Sequence, residues 1–150
     1  MHENFYVFQR RGLGPLLRWG IGSSLAGALL LLVPRPFVRQ FGAQAVAWGV
    51  IDVLLAIAGR RQALLRAEAL ATHARDEAEA RRDADNLRRI LLFNAGLDLL
   101  YIAAGIWTAR RYADNSGRRG LGVGVLVQGA FLLIYDLLFA RAVERFTTQP

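Results

Sequence analysis

Apolar residues fall into four long blocks, Leu16 to Val33, Phe41 to Ala58, Ile90 to Ala109 and Leu121 to Ala140, separated by arginine-rich connections. Each block approaches the ~20 residues that a helix needs to cross a hydrocarbon layer. A helix on the surface of a soluble bundle carries a polar stripe at 3.6-residue spacing, and these blocks mostly lack one. The pattern predicts an all-α chain, an integral membrane four-helix bundle forming one transmembrane domain over residues 1–150. Its spans are expected at about 16–33, 41–58, 90–109 and 121–140.

The first block resembles a signal peptide, because Arg10, Arg11 and Arg18 precede the apolar run Leu25 to Val33. It lacks a small-residue cleavage pattern, and three further blocks follow, so it is expected to be retained. Pro34 and Pro36 close it, since proline lacks the N–H that a continuing helix needs.

The connection over residues 60–89 contains no Pro and no Gly, and is rich in Ala, Leu, Arg and Glu. It places Glu77 four residues before Arg81 and Asp85 four before Arg89, pairs that support helix. The reading is a helical hairpin extension between helices 2 and 3, with a turn near Ala71 to Arg75. Leu64, Leu65 and Leu70 would then face Ala78, Ala84 and Leu87.

Composition sharpens this picture. Of 150 residues 54% are apolar, so the mild mean hydropathy of +0.27 reflects dilution by charged connections. There is no Cys, which removes disulfides, zinc thiolates and thiol catalysis. All 19 basic residues are Arg, and the net charge is +7. In a soluble protein that charge would suggest nucleic acid. Here the arginines flank apolar spans, so anionic headgroups of a lipid bilayer are the expected counter-charge and no nucleic-acid partner is expected.

Arginines also orient the chain. Arg10, Arg11, Arg18, the connection from Arg60 to Arg89, Arg141 and Arg145 fall on one side; Arg35, Arg39, Arg110, Arg111, Arg118 and Arg119 fall on the other. The richer side is cytoplasmic by the positive-inside rule, which puts both termini in the cytoplasm of a multi-pass protein.

The candidate site consists of residues that lipid disfavours. Asp52, Asp98 and Asp136 each lie inside a span, where an ionisable group costs at least ~2.5 kcal/mol. Counted to Arg60, Arg89 and Arg141 on the same helices, they lie ~12, ~14 and ~8 Å below the cytoplasmic surface at 1.5 Å per residue. Asn94 shares a helix face with Asp98, continuing through Tyr101, Gly105 and Thr108. Gln44 precedes Asp52 by the same interval as Gln128 precedes Asp136, as though spans two and four were degenerate copies. Arg18 is the candidate counter-charge. One Arg cannot neutralise all three acids, so they must hold a proton, share a cation or meet water.

Small residues offer close helix approach: Gly20, Ser24 and Gly27, with Gly22 and Ala26, on the first span, and Gly120 and Gly124 on the fourth. Trp19, Trp107, Tyr112, Phe5, Tyr6 and Phe8 are candidate interfacial anchors, and the deeper Trp48 is expected to pack in the bundle. The only histidines, His2 and His73, lie outside the spans, so no haem or metal site is expected. Gly120-Leu-Gly-Val-Gly lacks the lysine of a phosphate loop. No catalytic constellation and no cofactor are expected.

The segments Gln44 to Asp52, Phe93-Asn-Ala-Gly-Leu-Asp-Leu-Leu-Tyr101 and Gln128 to Asp136 resemble the span signatures of a family of small bacterial four-helix membrane proteins of unknown function. The resemblance covers roughly residues 10 to 145 and implies a fold and a bacterial inner (plasma) membrane location, without an activity. The leading functional expectation is a non-catalytic membrane subunit that associates with itself, as a homo-oligomer, or with a larger membrane complex. The alternative is a small oligomeric channel or transporter whose Asp52, Asp98 and Asp136 bind or relay a cation or proton. Asn94, Gln44 and Gln128 would be its neutral ligands.

Overall fold

The computed structural model describes residues 4–72 and 76–147. The chain forms five α-helices, α1 Phe5–Gly12, α2 Gly14–Leu31, α3 Pro36–Ala71, α4 Glu77–Arg111 and α5 Ser116–Val143, and a 3-10 turn Glu144–Phe146. No strand occurs among the described residues. Local chemistry sets the helix ends. Pro36 opens α3 at the first helical position, where a missing N–H costs nothing. Asp76 starts α4 with a capping box: its carboxylate accepts from the Glu79 backbone N–H at 2.7 Å, and the Glu79 carboxylate accepts from the Asp76 N–H at 3.4 Å. Asn115 caps α5 through the Arg118 N–H.

Three helices, α3, α4 and α5 continued through Phe146, are long and apolar enough to cross a membrane. α2 is not among them. It has 18 residues, and Pro15, Arg18, Gly20, Gly22, Ser23, Ser24 and Gly27 dilute its leucines. α3 and α4 have 36 and 35 residues, so each runs past the ~30 Å of a bilayer core by ~20 Å.

Glycine pairs zip the helices into two antiparallel hairpins. Between α2 and α3, a Cβ on Gly20 would lie 2.7 Å from the Gly49 carbonyl, and one on Gly27 would lie 2.6 Å from that of Gly42. Ser24 packs beside Gly49 in the same contact. Between α4 and α5, a Cβ on Gly105 would lie 2.7 Å from the Gly122 carbonyl. The hairpins join where α5 crosses α3, with Gly120 against the Phe37 backbone and Gly124 against Gln44. Gly20, Ser24, Gly27, Gly120 and Gly124 are therefore used within the chain, whereas Gly22 and Ala26 are exposed.

The helical extensions differ in part from expectation. Leu70 packs into the same cluster as Ala84 and Leu87, whereas Leu64 and Leu65 are 39% and 57% exposed. α1 packs on α3 and touches α4. Phe5, Tyr6 and Gln9 share the buried face of α1. Phe5 and Tyr6 join Ala80, Ala84, Leu91, Phe139, Ala140 and Val143 in a buried core, rather than anchoring at an interface. The Tyr6 hydroxyl donates to Asp83 at 2.7 Å, and Arg66 from α3 pairs with the same carboxylate at 3.1 Å. Asp85 and Arg89 pair at 2.7 Å along α4 as their spacing predicts. The turn expected near Ala71 to Arg75 falls largely on residues 73–75, outside the described residues.

The glycine contacts make a direct prediction. Gly105→Ala should lower the unfolding midpoint of the detergent-solubilised protein, because the α5 backbone must move. Gly96→Ala, with nothing within 4 Å of its new methyl, should hold or raise stability by up to ~1 kcal/mol through helix propensity. Equal midpoints for the two variants would contradict the close crossing.

Candidate functional site: a carboxylate cavity between two hairpins

Asp52 on α3, Asp98 on α4 and Asp136 on α5 are 1%, 3% and 6% exposed. All three line one cavity of about 190 Å³. Periodicity and the glycine contacts together explain this convergence. The buried stripe of α3 runs Gly42, Gly49, Asp52, Ala56, so the face that meets its neighbours through glycine also carries the acid. On α4 the face of Asn94, Asp98 and Tyr101 continues to Gly105, whose contact with Gly122 turns it toward α5. Asn94 and Tyr101 accordingly line the cavity with Asp98, joined by Trp48 from α3 and Tyr135 from α5.

Hydrogen bonding in the cavity is uneven. Gln128 donates from Nε2 to Oδ2 of Asp52 at 2.5 Å and accepts at Oε1 from the Trp19 indole N–H at 3.0 Å. Because an indole N–H only donates, it dictates which end of the amide faces Asp52. Trp19 is itself held by stacking on Phe131, with ring centroids 4.0 Å apart. Oδ2 of Asp98, by contrast, is buried with no hydrogen-bond partner. Among the described residues none of the three acids has a cationic partner; the ion pairs Arg66–Asp83, Arg88–Glu144 and Arg89–Asp85 lie elsewhere. No group of three His, Cys, Asp or Glu side chains among the described residues is arranged to hold a metal ion.

Two candidate residues stand apart. Arg18 is exposed and lines a second cavity of about 320 Å³ with Trp19, Phe41, Gly124 and Gln128. It follows that Arg18 is not the counter-charge of the carboxylates. Gly20 faces α3, and two residues along a helix is a rotation of ~200°, which turns Arg18 away from that face. Gln44 sits against Gly124 where α3 and α5 cross, two turns from Asp52. Within the apparent repeat of α3 and α5, Gln128 bonds the acid of the other copy, Asp52.

The exposed part of the lining comes from α3 and α4, on either side of the seam between them. Ile51, Leu55 and Tyr101 line the cavity and are 45%, 59% and 38% exposed. Trp48 and Tyr101 meet edge to face across this seam at 5.2 Å. The role of Trp19 and this aromatic pair were not read from the sequence. Trp48 precedes Asp52 by one turn and Tyr101 follows Asp98 by one turn, a signal that pairing aromatic with acidic positions would have found.

The chain belongs to a family of unknown function, DUF6992, whose family model matches residues 15–137. The matched stretch contains the three acids, Gln128, Trp19 and the glycine contacts, and α1 precedes it. No curated protein and no solved structure matches the chain.

The Trp19–Gln128–Asp52 chain predicts non-additive stability. Gln128→Leu should destabilise by ~1.5–3 kcal/mol, the range for hydrogen bonds to charged groups. Trp19→Phe should cost less, and in the Gln128→Leu background the loss of the indole N–H should cost little further. Double-mutant-cycle unfolding in detergent measures the coupling, and strict additivity would contradict the chain.

Proposed function

We propose that this protein is a four-span bacterial plasma-membrane protein, with both termini cytoplasmic, that moves protons or cations by way of the carboxylate cavity. The carrying observation is Asp98, buried with an unpartnered oxygen in a cavity it shares with Asp52 and Asp136. Burying an ionisable group without a partner is costly in any apolar medium. A carboxylate kept in that state is suited to take up and release a positive charge.

Several features support the membrane frame. α3, α4 and α5 have the length and composition to cross. α2 pairs with the Gly42–Gly49 stretch of α3, and its outward residues Ile21, Leu25, Leu29 and Leu32 form an exposed apolar stripe. That stripe suits lipid contact at the level of the α3 span. α1, the α3 and α4 arms and the end of α5 gather in one core, which brings the two ends of the described chain to the arginine-rich side. That side is cytoplasmic by the arginine count. Four spans enclose little path by themselves, so a homo-oligomer belongs to this reading.

A second reading, a non-catalytic subunit of a larger membrane complex, is favoured by Leu64 and Leu65. They remain exposed on the α3 arm beyond Arg60 and Arg61, where a partner would cover them.

Liposomes containing the purified protein decide between the two. Wild type should dissipate an imposed pH or sodium gradient, and Asp98→Asn should lose at least ~90% of that flux, a barrier rise of ~1.4 kcal/mol or more. Asp85→Asn, on the cytoplasmic arm, should retain it. Absence of wild-type flux, together with co-purification of a larger complex from membranes, would overturn the transport reading in favour of the subunit.

A further inference from the structure

The chemistry of the cavity specifies more than a bare ion. We propose that it binds a small lipophilic organic cation, a quaternary or protonated amine carrying an apolar group, admitted from the bilayer through the seam between α3 and α4. This rests on the reading of the carboxylate cavity as a cation site and names its ligand class.

Four observations converge. Asp98 is 3% exposed and presents a buried oxygen without a partner, so one acceptor is unfilled. No group of three His, Cys, Asp or Glu side chains among the described residues is placed to hold a metal ion, and the acids share their cavity with aromatic and aliphatic walls. At about 190 Å³ the cavity exceeds the space for one ion. It is somewhat larger than the ~150 Å³ cavity that accommodates benzene, and smaller than the ~300 Å³ at which drug-sized sites begin. Its remaining walls are of two kinds. Leu97 and Leu132 supply apolar contact, and Trp48 and Tyr101 supply aromatic rings. A ring face within ~6 Å attracts a cation, most strongly in a desolvated site. Carboxylate, aromatic and aliphatic surfaces in one small cavity together match an amine with an apolar substituent.

The route in agrees with that ligand. The seam is bordered by Ile51, Leu55 and Tyr101, all exposed on the apolar perimeter of the helices. An inorganic ion would have to cross hydrocarbon to use this entrance. A lipophilic amine already partitions there, and the Trp48–Tyr101 pair stands at the opening to meet it.

Full-length protein in lipid nanodiscs tests the inference by equilibrium dialysis. The probe is benzyltrimethylammonium, the charge control is its uncharged carbon isostere neopentylbenzene, and sodium alone is the ionic control. Saturable binding of benzyltrimethylammonium, about tenfold or more tighter than the isostere, is expected from the added charge. Asp98→Asn should weaken binding about tenfold or more. Trp48→Leu should weaken it about fivefold, and Trp48→Phe, which keeps a ring face, should restore most of it. Elution volume on gel filtration verifies that each variant is folded. Equal binding of the isostere, or binding unchanged by both Asp98→Asn and Trp48→Leu, would overturn the proposal. Asp98-dependent proton or sodium flux with no probe binding would overturn the ligand class while leaving the transport reading intact. Probe binding without flux would establish the ligand and defeat transport.

Discussion

The architecture depends on backbone approaching backbone at glycine. Gly20 on Gly49, Gly27 on Gly42 and Gly105 on Gly122 bring α2 to α3 and α4 to α5 at distances that no Cβ permits. In a bilayer, lipid tails are as apolar as leucine, so burying leucine gains little and van der Waals contact between small residues must hold helices together. Between the hairpins, Gly120 and Gly124 of α5 come just as close to Phe37 and Gln44 of α3, leaving space along other parts of the seams. Both cavities lie on these seams, one with its exposed lining on α3 and α4, the other on α2 and α5.

The polar groups in those seams are not equivalent. Asp52 is tied through Gln128 to Trp19, a chain that spans from one cavity to the other and fixes the amide. Asp98 is the acid left open. A structural role alone would be served best by complete pairing, since every unsatisfied buried group costs stability. One acid hydrogen-bonded by Gln128 beside one with an unsatisfied oxygen is the asymmetry on which the proposed cation site rests. Gln128 lines the second cavity and bonds Asp52, which lines the first.

Around α1 and the ends of α3, α4 and α5 the packing differs. Phe5, Tyr6, Leu91, Phe139 and Val143 pack there with Ala80, Ala84 and Ala140, and the Tyr6–Asp83–Arg66 cluster lies at the edge. Removing such apolar surface from water is worth ~25 cal/mol per Å². α1 contributes Phe5 and Tyr6 to this cluster and lies before the matched family region.

Features that act along a single helix were legible in the sequence. Apolar runs located the long helices, the Glu77–Arg81 and Asp85–Arg89 spacings marked the arm of α4 as helix, and counting from Arg60, Arg89 and Arg141 ranked three acids at similar depth. A helix advances 1.5 Å and turns 100° per residue whatever surrounds it, so position on one helix follows from number alone. The rotation of one helix against another does not. On an apolar helix the lipid-facing and protein-facing sides share a composition, and the glycines that choose between them act only in pairs. The turning of Arg18 away from the acids, the bond from Gln128 to Asp52 across the apparent repeat, and the insertion of α1 at the hairpin base were accordingly decided by tertiary contacts.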